Sequence, residues 1–282
     1  MNKALTWMIP CIFVLALAAA LAGVWPAEGQ PYPLTNFRGE EVTINARGLY
    51  YWDTVSSAAQ MKGNDLVTLF VGLPLLAVSF LLARRGSLRG KFQLTGTLGF
   101  FLYTYLSMCV GTAYNAFFLV YVALFGLSLY AFILSMLAFD LKSLPAHFSE
   151  KTPRTAVAVV LFAAGAFLSL AWLGRIAPTL LSNQQPALDN TTTMFIQAMD
   201  LVLVVPLCFL AGVLLLRRSA WGYLLATVGV MKFITMGLAV STMVVNMALA
   251  GVAVSTAELT LFPSLVLANL VMALLLMRSI RQ

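Results

Sequence analysis

The chain predicts an all-α integral membrane protein: eight transmembrane helices built as two parallel four-helix repeats, with a small extracytoplasmic loop holding a hairpin and a short helix. Three observations predict it. Hydrophobic residues make up 61% of the 282 and charged residues only 10%, too few polar groups to cover a water-exposed surface. Apolar runs long enough to cross a hydrocarbon core of about 30 Å recur along the chain. A phrase is also repeated: "QMKGNDLVTLFVGLPLL" from Gln60 is echoed by "QAMDLVLVVPLC" from Gln197.

The eight runs cover 5–25, 66–83, 92–113, 116–139, 156–173, 194–216, 223–249 and 259–277. None shows the alternating ten-residue pattern of an outer-membrane strand. In the first, Lys3, an apolar stretch and "LAAALAG" resemble a signal peptide, but the run is long enough to span and is read as an uncleaved helix. Cys11, Cys109 and Cys208 fall inside separate runs and read as buried free thiols.

Segment 26–62 is the longest polar stretch. "EEVTINARGLYYWDT" reads as two short strands around Ala46, Arg47 and Gly48, and Tyr50, Tyr51 and Trp52 suit a membrane interface. Asp53 is expected to cap a short helix that Gly63 ends, with Asn64 or Asp65 capping the spanning helix beyond the break. This loop reads either as a lid over helix ends or as a contributor to binding.

The net charge of +7 is explained by topology. Lys3, Arg84, Arg85, Arg89, Lys91, Lys142, Lys151, Arg154, Arg217, Arg218, Arg278 and Arg281 account for twelve of the 17 basic residues and all fall on one side if eight spans alternate. The positive-inside rule places that side, with both termini, in the cytoplasm of an inner or plasma membrane. Nucleic acid is not required as a partner.

Aligned at Pro74 and Pro206, both copies of the repeated phrase run through apolar residues to a paired arginine, and "LTGTLGFFLYTY" resembles "LLATVGVMKFIT" beyond it. Four spans per half give both copies one orientation, a parallel repeat about an axis along the membrane normal. The first repeat is 1–145, including the outer loop 26–64, and the second is 146–282. The boundary is the basic loop "DLKSLPAHFSEKTPR".

Ionisable groups at membrane depth are costly and need partners. Counted from the turn at Ser219, Asp200 lies roughly 28 Å and Lys232 roughly 20 Å along their helices at about 1.5 Å per residue. They are expected to form an intramembrane ion pair, serving either helix register or movement of ions and protons. Leu102 falls opposite Lys232 in the repeat alignment, with Tyr103 and Tyr105 beside it. Asp65 therefore lacks a lysine and is expected to meet Tyr114, Asn115 or solvent. Ordinary capping of helix ends accounts for the same residues. Gln93, Asn246 and Asn269 read as interhelical glue, and Pro74, Pro206 and Pro263 as kinks. The aromatics of the fourth run, Tyr121 and Phe125 among them, read as packing or as a surface for an apolar ligand.

The single histidine, His147, falls in a loop, which removes the basis for bis-histidine haem, histidine-rich metal sites and Ser-His catalysis. No Cys-x-x-Cys pair or phosphate-binding Gly-rich loop is present. No catalytic set, metal or cofactor is implied. The sequence points first to a small-molecule or ion permease whose substrate-binding residues, Asp65, Tyr103, Asp200 and Lys232, lie between the two repeats. A non-catalytic subunit or assembly factor that binds a partner protein is the alternative, and a lipid-acting membrane enzyme the third. The expected partners are membrane lipid and a protein partner or second copy of the chain.

Overall fold

The computed structural model describes residues 2–182, 186 and 188–281. Among them, eight helices are long and apolar enough to cross a membrane: α1 (Lys3–Val24), α2 (Val55–Arg84), α3 (Leu88–Gly111), α4 (Phe118–Leu137), α5 (Arg154–Ser182), α6 (Phe195–Leu216), α7 (Ala220–Leu249) and α8 (Thr256–Ser279). Eight such helices make the chain a multi-pass membrane protein, each span satisfying its own backbone groups as hydrocarbon requires.

Short polar residues start the helices by accepting a backbone N–H that has no partner in the first turn. Asn2 does this for Ala4, Thr54 for Ser57, Ser87 for Gly90 and Ser219 for Gly222. Ser255 and Glu258 form a reciprocal capping box at α8. Thr54, not Asp53, is thus the cap of α2.

The loop after α1 holds strands β1 (Tyr32–Thr35) and β2 (Glu41–Ile44), paired antiparallel with Tyr32 opposite Ile44. The hairpin turn lies at 36–40, where the Asn36 side chain accepts from the N–H groups of Arg38 and Glu40 and Gly39 has φ 80°. This corrects the expected hairpin around Ala46, Arg47 and Gly48. Those residues do reverse the chain, with Ala46 at φ 54° and Gly48 at φ 58°, but in a separate bend pinned by Asn45 Nδ2, which donates to the carbonyls of Arg47 and Tyr50.

The helix expected to break at Gly63 runs through it. A Cβ at Gly63 would lie 2.8 Å from Met243 Cα and 2.8 Å from its nitrogen, so this glycine lets the backbones of α2 and α7 approach rather than ending a helix. The irregularity comes later. Thr68–Gly72 of α2 and Asp200–Val204 of α6 are single π-helical turns, in which Leu73 N–H donates to Thr68 O and Val205 N–H to Asp200 O, five residues back. The next residue is Pro74 in one helix and Pro206 in the other. A proline has no N–H to continue the regular ladder, and a widened turn absorbs the mismatch.

Within residues 2–137, α1 packs on α2 and α4, α2 on α3, and α3 on α4; within 154–279, α5 packs on α6, α6 on α7, and α7 on α8. The halves meet where α7 lies against α3 and against the hairpin-side end of α2. A Cβ at Gly96 of α3 would collide with Met231 Cβ and lie 3.0 Å from Lys232 N, so α3 and α7 cross closely there. One apolar cluster is built mainly from α1 to α4, around Leu5, Ile12, Leu76 and Phe101, and a second around Phe92, Leu161, Leu215 and Leu276. At the other end of the bundle the chain's last turn is tied down: Arg89 donates to Ile280 O, Ser149 N–H to Ser279 O and Arg281 N–H to His147 O.

Gly63→Leu is predicted to push α2 off α7 at a cost of about 1–3 kcal/mol or more. Gly126→Ala, which meets nothing within 4 Å, serves as the neutral comparison. Thermal unfolding of purified protein in mild detergent checks both; equal midpoints would mean that the α2–α7 contact does not depend on the absent side chain.

Candidate functional site

Asp200 stands at the start of the π turn in α6 and is 8% exposed. Its Oδ1 accepts the Tyr103 hydroxyl from α3 at 2.7 Å and its Oδ2 accepts the Trp172 indole N–H from α5 at 2.9 Å. Charge-assisted bonds of this kind are stronger than neutral ones, and each carboxylate oxygen has one. Lys232 of α7 does not complete an ion pair with Asp200. Its ammonium lies 4.3 Å from the centre of the Tyr103 ring and 5.6 Å from that of Phe233, within cation–π range.

The expected Asp200–Lys232 pair is therefore replaced by a relay of contacts through one side chain. Tyr103 gives its hydroxyl to the anion and its ring face to the cation. A short Asp and a long Lys on adjacent helices did not need to meet once a third side chain, Tyr103 from α3, reached between them. Tyr103 was singled out by its place beside Lys232 in the repeat alignment. Trp172 was missed, although an indole N–H in an apolar helix needs an acceptor and so carried a usable signal. The structure brings together Tyr103, Trp172, Asp200 and Lys232, with α3, α5, α6 and α7 contributing one residue each.

Asp65 belongs to a different cluster. It is 2% exposed and accepts the Tyr50 hydroxyl at 2.6 Å. A Cβ at Gly23 of α1 would overlap Asp65 Oδ2 and lie 2.8 Å from the Tyr50 hydroxyl, so α1 leaves room for this bond. Tyr105 and Tyr121 are buried with ring centroids 6.3 Å apart, and the Tyr105 hydroxyl has no hydrogen-bond partner among the described residues. The expected meeting of Asp65 with Tyr114 or Asn115 does not occur. Tyr114 is 79% exposed and packs on Phe118, while Asn115 turns back to the N–H of Phe117 and the carbonyl of Ala113. The tyrosine that meets Asp65 comes from the polar loop, a long-range contact that helix spacing does not reveal.

Aligned at their capping residues, 87–111 and 219–243 take a different register from the one in the sequence alignment. Ser87 and Gly90 at the start of α3 have counterparts in Ser219 and Gly222 at the start of α7, and the residue before each cap has positive φ, Gly86 at 86° and Arg218 at 56°. Counted from the caps, Lys232 takes the place of Phe100, not Leu102. Counted from the prolines, Asp200 takes the place of Thr68, whose buried Oγ1 has no hydrogen-bond partner.

A third carboxylate, Asp53, lies just before α2. It is 4% exposed, and its Oδ1 accepts from Ser57 Oγ and Ala113 N–H at 3.0 Å each. Burial pushes its carboxyl up to about 6, and Asp189 adds a like charge, against the lowering effect of those two bonds. The described residues contain no group of three or more His, Cys, Asp or Glu side chains that could hold a metal ion. Comparison of the chain with protein-family models, curated proteins and solved structures finds no match, so the chemistry of these residues carries the functional reading.

Tyr103→Phe is predicted to leave Asp200 one donor short and to cost about 1–3 kcal/mol, and Tyr103→Leu to cost more because Lys232 also loses its ring. Adding Lys232→Met to Tyr103→Leu should recover part of the loss. Detergent unfolding of the four combinations tests it, and strict additivity would show that Tyr103 and Lys232 are not coupled.

Asp53 supplies a pH prediction. A carboxyl raised on folding favours the protonated folded state, so its contribution is fully present below its ordinary value near 3.8 and is lost as pH rises through about 6. The full change is on the order of 3 kcal/mol. Asp53→Asn keeps an oxygen for Ala113 N–H and should be less destabilising, or stabilising, at pH 8 relative to pH 4. A variant-minus-wild-type difference in unfolding midpoint that does not change with pH would contradict this.

Proposed function

We propose that the protein is a small-molecule or ion permease whose polar site is centred on Asp200, Tyr103, Lys232 and Trp172. The observation that carries this reading is the Asp200–Tyr103–Lys232 arrangement itself. A carboxylate and an ammonium at membrane depth are held apart by an aromatic side chain, where an ion pair would have been the more economical way to fix helix register. Both groups keep bonding capacity for a ligand or proton, and Asp200 sits on a π turn, a local widening common at functional sites.

The parallel duplication is part of this proposal. The supporting features are the π turn, the proline, the positive-φ residue, the capping serine and the close glycine, which follow one another in the same order and spacing in α2–α3 and α6–α7. Parallel repeats in transporters place substrates between the halves, and here Tyr103 comes from the first half and the other three residues from the second. Asp65, with Tyr50, is assigned a supporting role on the first-half side. The arginines at the short α2–α3 and α6–α7 turns support an orientation with those turns, and with them both termini, on the cytoplasmic side of an inner or plasma membrane.

Purified protein in liposomes on a solid-supported membrane, challenged in turn with protons, alkali cations, amines, amino acids and carboxylates, tests the reading. One class should give a saturable current that Asp200→Asn and Lys232→Met each reduce by about tenfold or more, equivalent to about 1.4 kcal/mol. Silence across the set, together with a stoichiometric protein partner retained in native mass spectrometry, would replace the permease with the partner-binding subunit.

A further inference from the structure

The geometry points to a second ligand site, on the hairpin side of the bundle, that takes a small organic ammonium ion between Asp53, Asp189 and the aromatic walls of Trp52 and Phe195. It lies outside the Asp200 cluster and does not depend on transport.

A cavity of ≈ 320 Å³ opens where three separate segments meet: 52–57 at the start of α2, 110–113 at the end of α3, and 189–195 leading into α6. The first two segments belong to one half of the chain and the third to the other. Its volume falls at the lower end of small-molecule sites and far exceeds a bare metal ion. Trp52 and Phe195 contribute aromatic surface, while Thr112, Thr191, Thr192 and Thr193 contribute polar groups. Among the described residues, neither lysine nor arginine lines it.

The second observation is an empty acceptor. Asp53 lines this cavity, yet while its Oδ1 receives two hydrogen bonds, its Oδ2 is buried with no hydrogen-bond partner among the described residues. A buried carboxylate oxygen with no donor is costly, and native structures rarely leave one so. A protonated amine supplies both the missing N–H and the missing charge, and aromatic walls favour it further. An anion would meet two carboxylates, and a neutral polar ligand would leave the charge uncompensated.

Asp189 is placed for this role by the hairpin. Its side chain accepts from Thr54 Oγ1, and its carbonyl accepts from Asn36 Nδ2 and from the Arg38 guanidinium, which also bonds Thr191 O at 2.7 Å. Arg38 pairs with Glu40 at 2.9 Å. The hairpin turn thus clasps the segment that forms one wall of the cavity. Among the described residues, the groups around Asp53 are accordingly Asp189 from that wall, the Tyr121 phenol of α4, and the mutually paired Arg38 and Glu40 behind the wall; 110–113 contributes no charge. With the Asp53 carboxyl held up at about 6 by burial, protons compete with the ammonium as pH falls through that value.

Equilibrium dialysis of purified protein in detergent at about pH 8 tests the site with labelled 2-phenylethylamine, choline and putrescine, and with the neutral 3-phenylpropanol. At least one amine should bind saturably at one site per chain, about tenfold or more tighter than the alcohol. Binding should weaken severalfold at about pH 5, and by about tenfold or more in Asp53→Asn. Because Asp53 also holds Ala113, Thr192→Trp is the second variant: Thr192 is exposed, so the bulkier side chain should fold and block the cavity. Equal binding of amine and alcohol, unchanged binding in Thr192→Trp, or no saturable binding of any of the three amines overturns the proposal. None of these outcomes touches the permease reading, which is measured as current through Asp200.

Discussion

A carboxylate at membrane depth has no water to solvate it, and the way Asp200 is supplied with donors organises the centre of this protein. One donor comes from α3 and one from α5, while Lys232 of α7 reaches the same group only through the Tyr103 ring. Four helices are thereby committed to one point. The crossing of α3 over α7 at Gly96 is what lets a tyrosine on one approach a lysine on the other. The polar contact and the absence of a side chain at the crossing are two halves of one solution: hydrocarbon gives helices little reason to associate, so close packing and internal hydrogen bonds have to do it.

The backbone contributes to the same problem. A proline inside a spanning helix strands a carbonyl, and α2 and α6 answer with the same device, a single π turn ending just before the proline. In α6 the first residue of that turn is the buried acid. In α2 it is Thr68, and the acid, Asp65, lies nearly one turn earlier, where the Tyr50 hydroxyl meets it. The proposed duplication therefore carries a difference in its polar chemistry. One copy retains a charged group near the junction of the halves, and the other moves its acid toward α1 and the polar loop, where Gly23 makes space.

On the hairpin side, the polar loop works as a clamp as well as a cover. Arg38 and Asn36 hold the carbonyls of Asp189 and Thr191, so a turn within the first half fixes a loop of the second. The proposed ammonium site depends on that arrangement, since the clamp and the Thr54–Asp189 hydrogen bond hold the segments of Asp53 and Asp189 together.

The sequence by itself determined the eight spans, the interfacial loop and the polar residues that had to find partners, because hydrocarbon thickness and the cost of burying charge act on each segment separately. It also marked Tyr103, Asp200 and Lys232 as belonging together, through depth and through the repeated phrase. Only the tertiary structure decided how they meet. Nothing in the spacing of Asp200 and Lys232 states that a tyrosine from another helix will stand between them, that Trp172 will take the second carboxylate oxygen, or that Tyr50 will claim Asp65. Gly63 shows the same limit at the backbone level: a glycine before an acid reads locally as a helix stop, and becomes a packing contact only because α7 lies against it. Partner choice among buried polar groups depends on distances between segments far apart in the chain, and those distances exist only once the helices have packed.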